Sequence, residues 1–363
     1  MRATLEMSDP FEPARAAETT QASGSPLALR FVRGAVHLPR LGLWLDARDA
    51  KPDRVFVSHG HTDHLGAHRE VILSHPTAQF MHARVRGERV AHTLAFGEPA
   101  RFEFEGQSFQ ITLLPAGHIL GSAMALIEAG GESLLYTGDF KLRPGQASEA
   151  CAPCHADYLV METTFGRPRY QFPPADAVWR AVIEFCRETL ARGETAVLLA
   201  YSLGKCQETL RGLAGAGLPL MVHEQAWRMT QIYEQFTPPF PPYAKYDAAA
   251  VRGKVLLCPP MARTAKLLHA IGPARTAVLT GWVLDSSCRF QYGTDAAFPL
   301  SDHADFPELI EFVERVKPRK VHTLHGFAAD FAWTLRQMGW DAQPLEPPSQ
   351  LELALEPGSR DGG

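Results

Sequence analysis

The chain has 363 residues, 45% of them hydrophobic, and its 36 basic and 40 acidic residues give a formal net charge of −4. This apolar content excludes a disordered or fibrous chain and predicts one large domain or two interlocked domains. The negative charge gives no general attraction to nucleic acid, so any polyanion would need a local binding site. No apolar run reaches the roughly 18 residues of a membrane span, and the first residues lack the order of a secretory signal. These features predict a cytoplasmic protein.

Short apolar runs alternate with helical segments through most of the chain. The runs that have the length and composition of buried strands are residues 54–58, 133–138, 157–162, 195–202, 254–259, 276–282 and 320–325. Helices are predicted at residues 176–191, which have one broad apolar side, and at 305–316, which begin with an acidic first turn. The alternation predicts an α/β fold. Residues 1–27 and 344–363 lack apolar periodicity and are expected to be flexible.

Metal-binding side chains are concentrated directly after the first of these runs. His59, His61, Asp63 and His64 lie within six residues, in the pattern HxHxDH. Two imidazoles two residues apart can converge on one ion, while the adjacent Asp63 and His64 turn the opposite way and can hold a second. The alternative is a solvated polar turn, but three histidines and a carboxylate rarely meet this spacing by chance. The pattern therefore predicts a metal site.

Two neighbouring ions need more ligands, preferably neutral imidazoles and a bridging carboxylate. His118, Asp139 and His325 follow in order along the chain, and each stands in a turn or at a strand end. Alone, His118 and Asp139 would more often be structural, but their order after HxHxDH predicts that they are ligands. His325 is expected to complete the shell of the second ion. Asp46 is expected to accept a hydrogen bond from a ligand histidine and fix its tautomer. The predicted cofactors are two divalent metal ions, zinc or manganese.

These residues resemble the metallo-β-lactamase fold, and in particular its β-CASP nuclease branch. That branch is marked by an acidic residue at a strand end, an inserted domain and two late histidines, which Glu162 in METTFG, His303 in PLSDHADF and His325 in TLHGF match. The resemblance implies a four-layer αββα sandwich with an inserted, smaller α/β β-CASP cap. The implied boundaries are residues 28–170 and 299–343 for the sandwich and residues 171–298 for the cap.

A two-ion site suits hydrolysis of a phosphodiester, because it makes water nucleophilic, neutralises the phosphate oxygens and orients the attack. Asp63 is expected to orient the attacking water. The resemblance makes His303 the general acid that protonates the leaving oxygen, held by a hydrogen bond with Glu162. Without the resemblance, His303 would be interpreted as a capping partner at the start of helix 305–316.

The segment AYSLGKCQETL passes from a strand into a helix and offers a possible phosphate site. Ser202, Gly204 and Lys205 can place a hydroxyl, backbone N–H groups and an ammonium around one phosphate. A simple strand-to-helix turn with a solvated lysine is the commoner meaning of such a segment. The segment is nevertheless similar to the YSxGK element by which related DNA cross-link repair nucleases bind a terminal 5′-phosphate, which implies an enzyme that works from a chain end.

The longest resemblance is to the bacterial ligase-associated DNA damage response exonucleases. It implies a single-strand DNA exonuclease in repair, with 5′-to-3′ polarity preferred, and an ATP-dependent DNA ligase and a DEXH-box helicase as partners. His325, however, resembles the RNA-processing members of the branch, so an RNA-processing nuclease is the first alternative. A small-molecule thioester hydrolase and a catalytically inactive scaffold subunit are the further alternatives.

Overall fold

The computed structural model describes residues 24–285 and 292–345. The strands are β1 (Arg30–Val32), β2 (Ala35–Leu38), β3 (Leu43–Leu45), β4 (Arg54–Phe56), β5 (Glu70–Ser74), β6 (Val90–Leu94), β7 (Pro99–Phe104), β8 (Gln107–Pro115), β9 (Ala123–Ala129), β10 (Glu132–Tyr136), β11 (Tyr158–Glu162), β12 (Thr195–Leu199), β13 (Leu220–Val222), β14 (Tyr243–Lys245), β15 (Val255–Cys258), β16 (Ala274–Leu279), β17 (Ala296–Phe298), β18 (Lys320–Leu324) and β19 (Ala342–Pro344). The helices are α1 (His75–Arg84), α2 (Ala175–Ala191), α3 (Lys205–Gly212), α4 (Glu224–Tyr233), α5 (Ala265–Ile271), α6 (Phe306–Val316) and α7 (Ala328–Gln337). Each predicted strand run and both predicted helices coincide with an element of the structure.

Two sheets form the sandwich. The first has six strands in the order β1-β2-β3-β4-β5-β6, and the second has seven in the order β19-β18-β11-β10-β9-β8-β7. Their facing sides share one buried cluster that includes Phe56 and Tyr136. Met81 of α1 packs on the outer side of the first sheet, while Phe312 of α6 and Phe331 of α7 pack on the outer side of the second. This layering confirms the expected αββα class.

The third sheet belongs to the inserted cap. Its six strands have the order β14-β13-β15-β12-β16-β17, and all neighbouring pairs are parallel. Trp179 and Phe185 of α2 are buried in the cluster on one side of this sheet, and Ile271 of α5 is buried on the other. Strands β12 to β17 all lie within the predicted cap, residues 171–298, whose exact limits stay a prediction.

The two ends of the described residues differ from the sequence prediction. Residues 24–27 were expected to be flexible, but Leu27 is fully buried between the sheets and Ser25 donates a hydrogen bond of 2.6 Å to Glu132. Residues 344 and 345 were assigned to the flexible tail, but β19 ends at Pro344 and Leu345 is buried. Apolar periodicity is not detectable in segments this short, which explains both errors. The remainder of both segments, residues 1–23 and 346–363, lies outside the described residues.

Within residues 24–285 and 292–345, no helix combines the length and the apolar character needed to cross a bilayer.

Candidate metal centre

The loop that carries HxHxDH is fixed to a strand edge through Asp46. Strands β3 and β4 are parallel neighbours, and Leu45 pairs with Phe56, so the residues that follow the two strands meet at one edge. Asp46 follows β3 in a left-handed conformation (φ 48°) and accepts hydrogen bonds from the backbone N (2.7 Å) and Oγ (2.6 Å) of Ser58. Because that hydroxyl proton goes to Asp46, the Oγ atom accepts from Nδ1 of His59 at 2.9 Å. The first histidine of the loop is thereby oriented.

Three imidazoles and one carboxylate converge beside this edge. Nδ1 of His61 lies 3.1 Å from Nε2 of His59 and 3.0 Å from Nε2 of His118. Oδ2 of Asp139 lies 3.5 Å from Nε2 of His59 and 3.8 Å from Nε2 of His118. The four ligand atoms all lie within 4.8 Å of one another. The structure therefore brings together four of the residues predicted as metal ligands.

The outer nitrogens of these rings determine what the inner ones can do. Nε2 of His61 faces the backbone oxygen of Leu203 at 3.0 Å, and Nδ1 of His118 faces the backbone oxygen of Asp302 at 2.9 Å. A carbonyl only accepts hydrogen bonds, so these outer nitrogens carry the ring protons, as Nδ1 of His59 does. The inner nitrogens of His59, His61 and His118 then present bare lone pairs to one another at 3.0–3.1 Å. Such lone pairs repel unless a cation lies between them, so this donor set fits a divalent metal ion.

The pKa values of the four converging side chains also favour the binding of a cation. Burial lowers the pKa of His59 and His118 well below its ordinary value, and it lowers the pKa of His61 as well. Burial alone would raise the pKa of Asp139, but the neighbouring His64 and His303 outweigh it and hold that pKa well below its usual range. Neutral imidazoles and an ionised carboxylate are the forms that bind metal.

The residues predicted for a second ion form a wider group around His64. Its Nδ1 lies 2.9 Å from Oδ2 of Asp46, and its Nε2 lies 3.5 Å from Asp139 and 3.9 Å from Asp63. The ring of His325, in a left-handed conformation (φ 59°) after β18, has its centroid 6.2 Å from that of His64. Burial opposes protonation of His64, but Asp139 and Asp46 outweigh it and raise its pKa well above the ordinary value. A second cation bound at Nε2 of His64 would take the place of the proton there, while Nδ1 would keep its proton and its hydrogen bond to Asp46.

Glu162 and His303 form a pair beside the first group. Nδ1 of His303 donates to Oε1 of Glu162 at 2.8 Å, and the ring centroid of His303 lies 4.7 Å from that of His118. Burial opposes protonation of His303, but Glu162 and Asp139 outweigh it and raise the pKa of His303 to about 9. The side chain of Asp305 caps α6 instead, by accepting from the backbone N of Glu308. The ring of His303 thus lies beside the converging histidines, and Asp305 rather than His303 caps the helix.

The predicted phosphate residues occupy the turn between β12 and α3. Gly204 is the N-cap of α3, with φ 88°, and Ser202 is half-buried. The Lys205 side chain is only 5% exposed, and its Nζ lies 3.3 Å from Oδ2 of Asp302. The commoner reading of this segment, a solvated lysine, is therefore wrong for Lys205. Whether the turn binds phosphate stays a prediction.

Several contacts of the site were not predicted. The hydroxyl of Tyr136 donates to Oδ2 of Asp46 at 3.0 Å, and the backbone N and hydroxyl of Thr164 donate to Oε2 of Glu162. The backbone oxygens of Leu203 and Asp302 receive the ring protons of two ligands. Backbone acceptors leave no mark in the side-chain pattern, so no sequence signal points to them.

Comparison with known protein families gives two matches. Residues 36–185 match the family described as the metallo-beta-lactamase superfamily. Residues 296–343 match the Zn-dependent metallo-hydrolase RNA specificity domain. The two segments contain the three converging histidines, Asp139, the Glu162–His303 pair and His325.

Three curated proteins illustrate the similarity. A probable DNA ligase from Opitutus terrae is 48% identical over 331 residues, which are 91% of this chain but only 32% of that protein. An RNase J-like protein from Methanocaldococcus jannaschii is 25% identical over 77% of this chain and 82% of its own length. The 5′ exonuclease Apollo of Gallus gallus is 28% identical over 82% of this chain and 61% of its own.

One solved structure shows a related fold. It is a protein of unknown function from Enterococcus faecalis V583, with a TM-score of 0.52 and 12% identity, over 81% of this chain and 79% of that one.

Proposed function

The chain belongs to the metallo-beta-lactamase superfamily, and we propose that it is a metal-dependent nuclease that removes nucleotides from the 5′ end of single-stranded DNA during repair. The observation that carries the proposal is the convergence of three bare imidazole nitrogens with Asp139 directly beside the His303–Glu162 pair. Such a site joins cation ligands to a proton donor. The relatives named as nucleases support the reaction class.

Divalent cations, when bound, make water nucleophilic near pH 7 and neutralise the charge of a phosphodiester. The Asp63 side chain is 55% exposed and so is free to accept a hydrogen bond from the attacking water. Nδ1 of His303 donates a hydrogen bond to Oε1 of Glu162, which leaves the Nε2 proton available for the leaving oxygen. Glu162 itself is held by the backbone N of Phe140 at 3.0 Å and by Thr164. The proton donor is thereby kept in one orientation.

Exposed aromatic rings near this pair support a single-stranded substrate. Trp282 is 36% exposed, and its ring lies 4.8 Å from that of Phe165, which lies 6.2 Å from that of His303. Tyr201 is 52% exposed, with Nζ of Lys205 5.7 Å from the centroid of its ring. Exposed rings stack on unpaired bases, whereas the bases of a duplex are stacked on one another. The rings therefore favour a strand whose bases are free.

The end dependence rests on the turn of Ser202, Gly204 and Lys205. A terminal 5′-phosphate bound there would share the Lys205 ammonium with Asp302, which is 3.3 Å away. We expect a 5′-phosphorylated strand to be degraded faster than the same strand with a 5′-hydroxyl. Equal rates would remove this turn from the argument and leave an enzyme without 5′-end preference.

The choice of DNA rests on one relative. A region similar to this chain lies within a much longer protein named as a probable DNA ligase, so we propose a DNA ligase as a functional partner. A DEXH-box helicase is proposed as a second partner on the resemblance to the ligase-associated exonucleases alone. RNA processing is the second candidate, favoured by the match to an RNA specificity domain and by the RNase J-like relative.

The decisive experiment is digestion of end-labelled, matched single-stranded DNA and RNA oligonucleotides with zinc, manganese or no added metal. We expect metal-dependent shortening of the DNA from one end, with the RNA cut more slowly. Faster cleavage of RNA would replace DNA by RNA as substrate. Hydrolysis of a thioester with every oligonucleotide left intact would refute the nuclease proposal, and a purified protein that binds no metal would support the scaffold alternative.

A further inference from the structure

The turn that leaves the cap sheet reaches the sandwich and contacts the metal ligands from behind. We call residues Leu203, Gly204 and Lys205 the clasp. The backbone oxygen of Leu203 accepts from Nε2 of His61 at 3.0 Å, although the two residues are 142 positions apart. A residue of the cap therefore holds the outer proton of a ligand of the sandwich.

The clasp reaches a second ligand through one further residue. Nζ of Lys205 lies 3.3 Å from Oδ2 of Asp302, and both side chains are almost completely buried. The backbone oxygen of Asp302 lies 2.9 Å from Nδ1 of His118. A buried ammonium and a buried carboxylate stay together because separating them leaves an uncompensated charge. The position of Asp302, and hence of its carbonyl, is therefore coupled to the clasp.

The clasp is held by hydrogen bonds within the cap and fits closely against the sandwich. Gly204 has φ 88° and ψ −78°, a conformation that favours glycine, and its backbone N donates to Oε1 of Gln207 at 2.8 Å. Gln207 is itself fully buried and donates to Oγ1 of Thr230 of α4 at 2.8 Å. A Cβ atom on Gly204 would lie 2.3 Å from Cγ2 of Ile119, the residue next to His118. The turn is thus anchored in the cap and pressed against the loop of the second ligand.

We propose that the clasp is a positioning element of the metal centre. By holding the outer protons of His61 and, through Asp302, of His118, the cap fixes the tautomer in which their inner nitrogens bind a cation. Loss of such hydrogen bonds behind a ligand typically costs 10- to 100-fold in metal affinity. This inference rests on the metal site of the proposed function, but it concerns the affinity for the cation and not the reaction.

The test compares two glycine substitutions by titration of metal-free protein with Co²⁺, followed by absorption in competition with a chelator. Gly204→Ala adds strain and the clash with Ile119, whereas Gly215→Ala, at φ 74° and with nothing within 4 Å of its Cβ, adds only strain. We expect Gly204→Ala to bind Co²⁺ about 10- to 100-fold more weakly, with a changed spectrum. Gly215→Ala should match the parent. Ile119→Ala should restore affinity in the Gly204→Ala protein, because it removes the atom that the new Cβ meets.

A second measurement needs no variant. Binding at the metal centre and order in the clasp are linked, so Co²⁺ must slow hydrogen exchange of residues 201–210 in the parent protein. Unchanged exchange in this segment, or a Gly204→Ala protein with the affinity and spectrum of the parent, overturns the positioning role. A parent protein that binds no Co²⁺ overturns both this inference and the proposed function. One that binds Co²⁺ but cleaves no polynucleotide overturns the nuclease proposal alone, and the affinity comparison still decides the role of the clasp.

Discussion

Replacing Asp46 by Asn changes one atom at a point where three protons meet. Oδ2 of Asp46 accepts from Oγ of Ser58 (2.6 Å), Nδ1 of His64 (2.9 Å) and the hydroxyl of Tyr136 (3.0 Å), while Oδ1 accepts from the backbone N of Ser58 (2.7 Å). An amide nitrogen in the place of Oδ2 is itself a donor, so it faces the two hydroxyls and the ring nitrogen that donated their hydrogen bonds to the carboxylate. The two hydroxyls can rotate and accept, but the ring of His64 cannot do so without changing its tautomer.

The change of tautomer determines the size of the effect. With Nδ1 of His64 acting as an acceptor, the proton moves to Nε2, the nitrogen that faces Asp139 at 3.5 Å and is expected to bind a cation. Turning the amide round would instead direct its N–H groups at the backbone N–H of Ser58. Either arrangement loses one hydrogen bond of a charged acceptor, about 1.5–3 kcal/mol, which corresponds to about a 10- to 150-fold loss in cation affinity.

Calorimetric titration of metal-free protein with Zn²⁺ measures this loss. Asp53→Asn is the matched control, because Oδ2 of Asp53 receives a long contact, 3.4 Å from Nε1 of Trp44, and Asp53 precedes β4, whereas His59 and His61 follow that strand. We expect the parent and Asp53→Asn to bind alike, and Asp46→Asn to bind more weakly, with activity partly recovered at high metal concentration. Unchanged affinity in Asp46→Asn would show that its contact with His64 does not set the ligand tautomer.

Three further predictions separate the roles of the other residues. His303→Ala should retain bound metal and lower the rate by about 10²- to 10⁴-fold, whereas His59→Ala should lose metal and activity together. Metal analysis combined with single-turnover kinetics distinguishes the two variants. Loss of metal from His303→Ala would contradict the role of His303 as proton donor. Lys205→Ala leaves Asp302 buried without its partner and should lower the free energy of unfolding by about 3–5 kcal/mol. The control Lys245→Ala removes an exposed ion pair and should unfold in urea like the parent. Equal stability of all three proteins would mean that the buried pair does not stabilise the fold. Removing divalent cations with a chelator should lower the melting temperature. The free energy of unfolding falls by about 2.7 kcal/mol compared with protein whose free cation is at a hundred times Kd. Identical melting with and without the chelator would mean that no cation binds between the facing imidazole nitrogens.

Several candidate ligands of the two ions were predictable because they follow strands. Apolar runs predict β4, β10 and β18, and a polar residue just beyond such a run lies at the edge of a sheet. His59, Asp139 and His325 all occupy such positions. The spacing within HxHxDH then indicates that His59 and His61 point to one ion, while Asp63 and His64 point to a second. The sequence therefore predicted which side chains converge, but not the distances between them.

Lys205 shows why the other contacts of the site could not be predicted from the sequence. Its partner Asp302 is 97 positions away (302 − 205), and a sequence gives no reason to pair these two charges rather than others nearby. The same holds for Leu203, whose carbonyl is a backbone atom and has no residue preference. Long-range pairs and backbone acceptors are products of the tertiary fold, and only the structure reveals them.

The three rings of the first group take their outer hydrogen bonds from three different parts of the chain. His59 is held by Ser58 of the first sheet edge, His61 by the cap, and His118 by the segment that leads into α6. None of these parts alone fixes all three tautomers, so a complete cation site exists only when the sandwich and the cap are folded against each other. Cation affinity should therefore report docking of the cap as well as the integrity of the ligands. In a urea titration monitored both by Co²⁺ absorption and by hydrogen exchange of the cap helices α2 and α4, the absorption should disappear no later than the protection of those helices. Absorption that persists after the cap has unfolded would show that the sandwich alone holds the ligands in place.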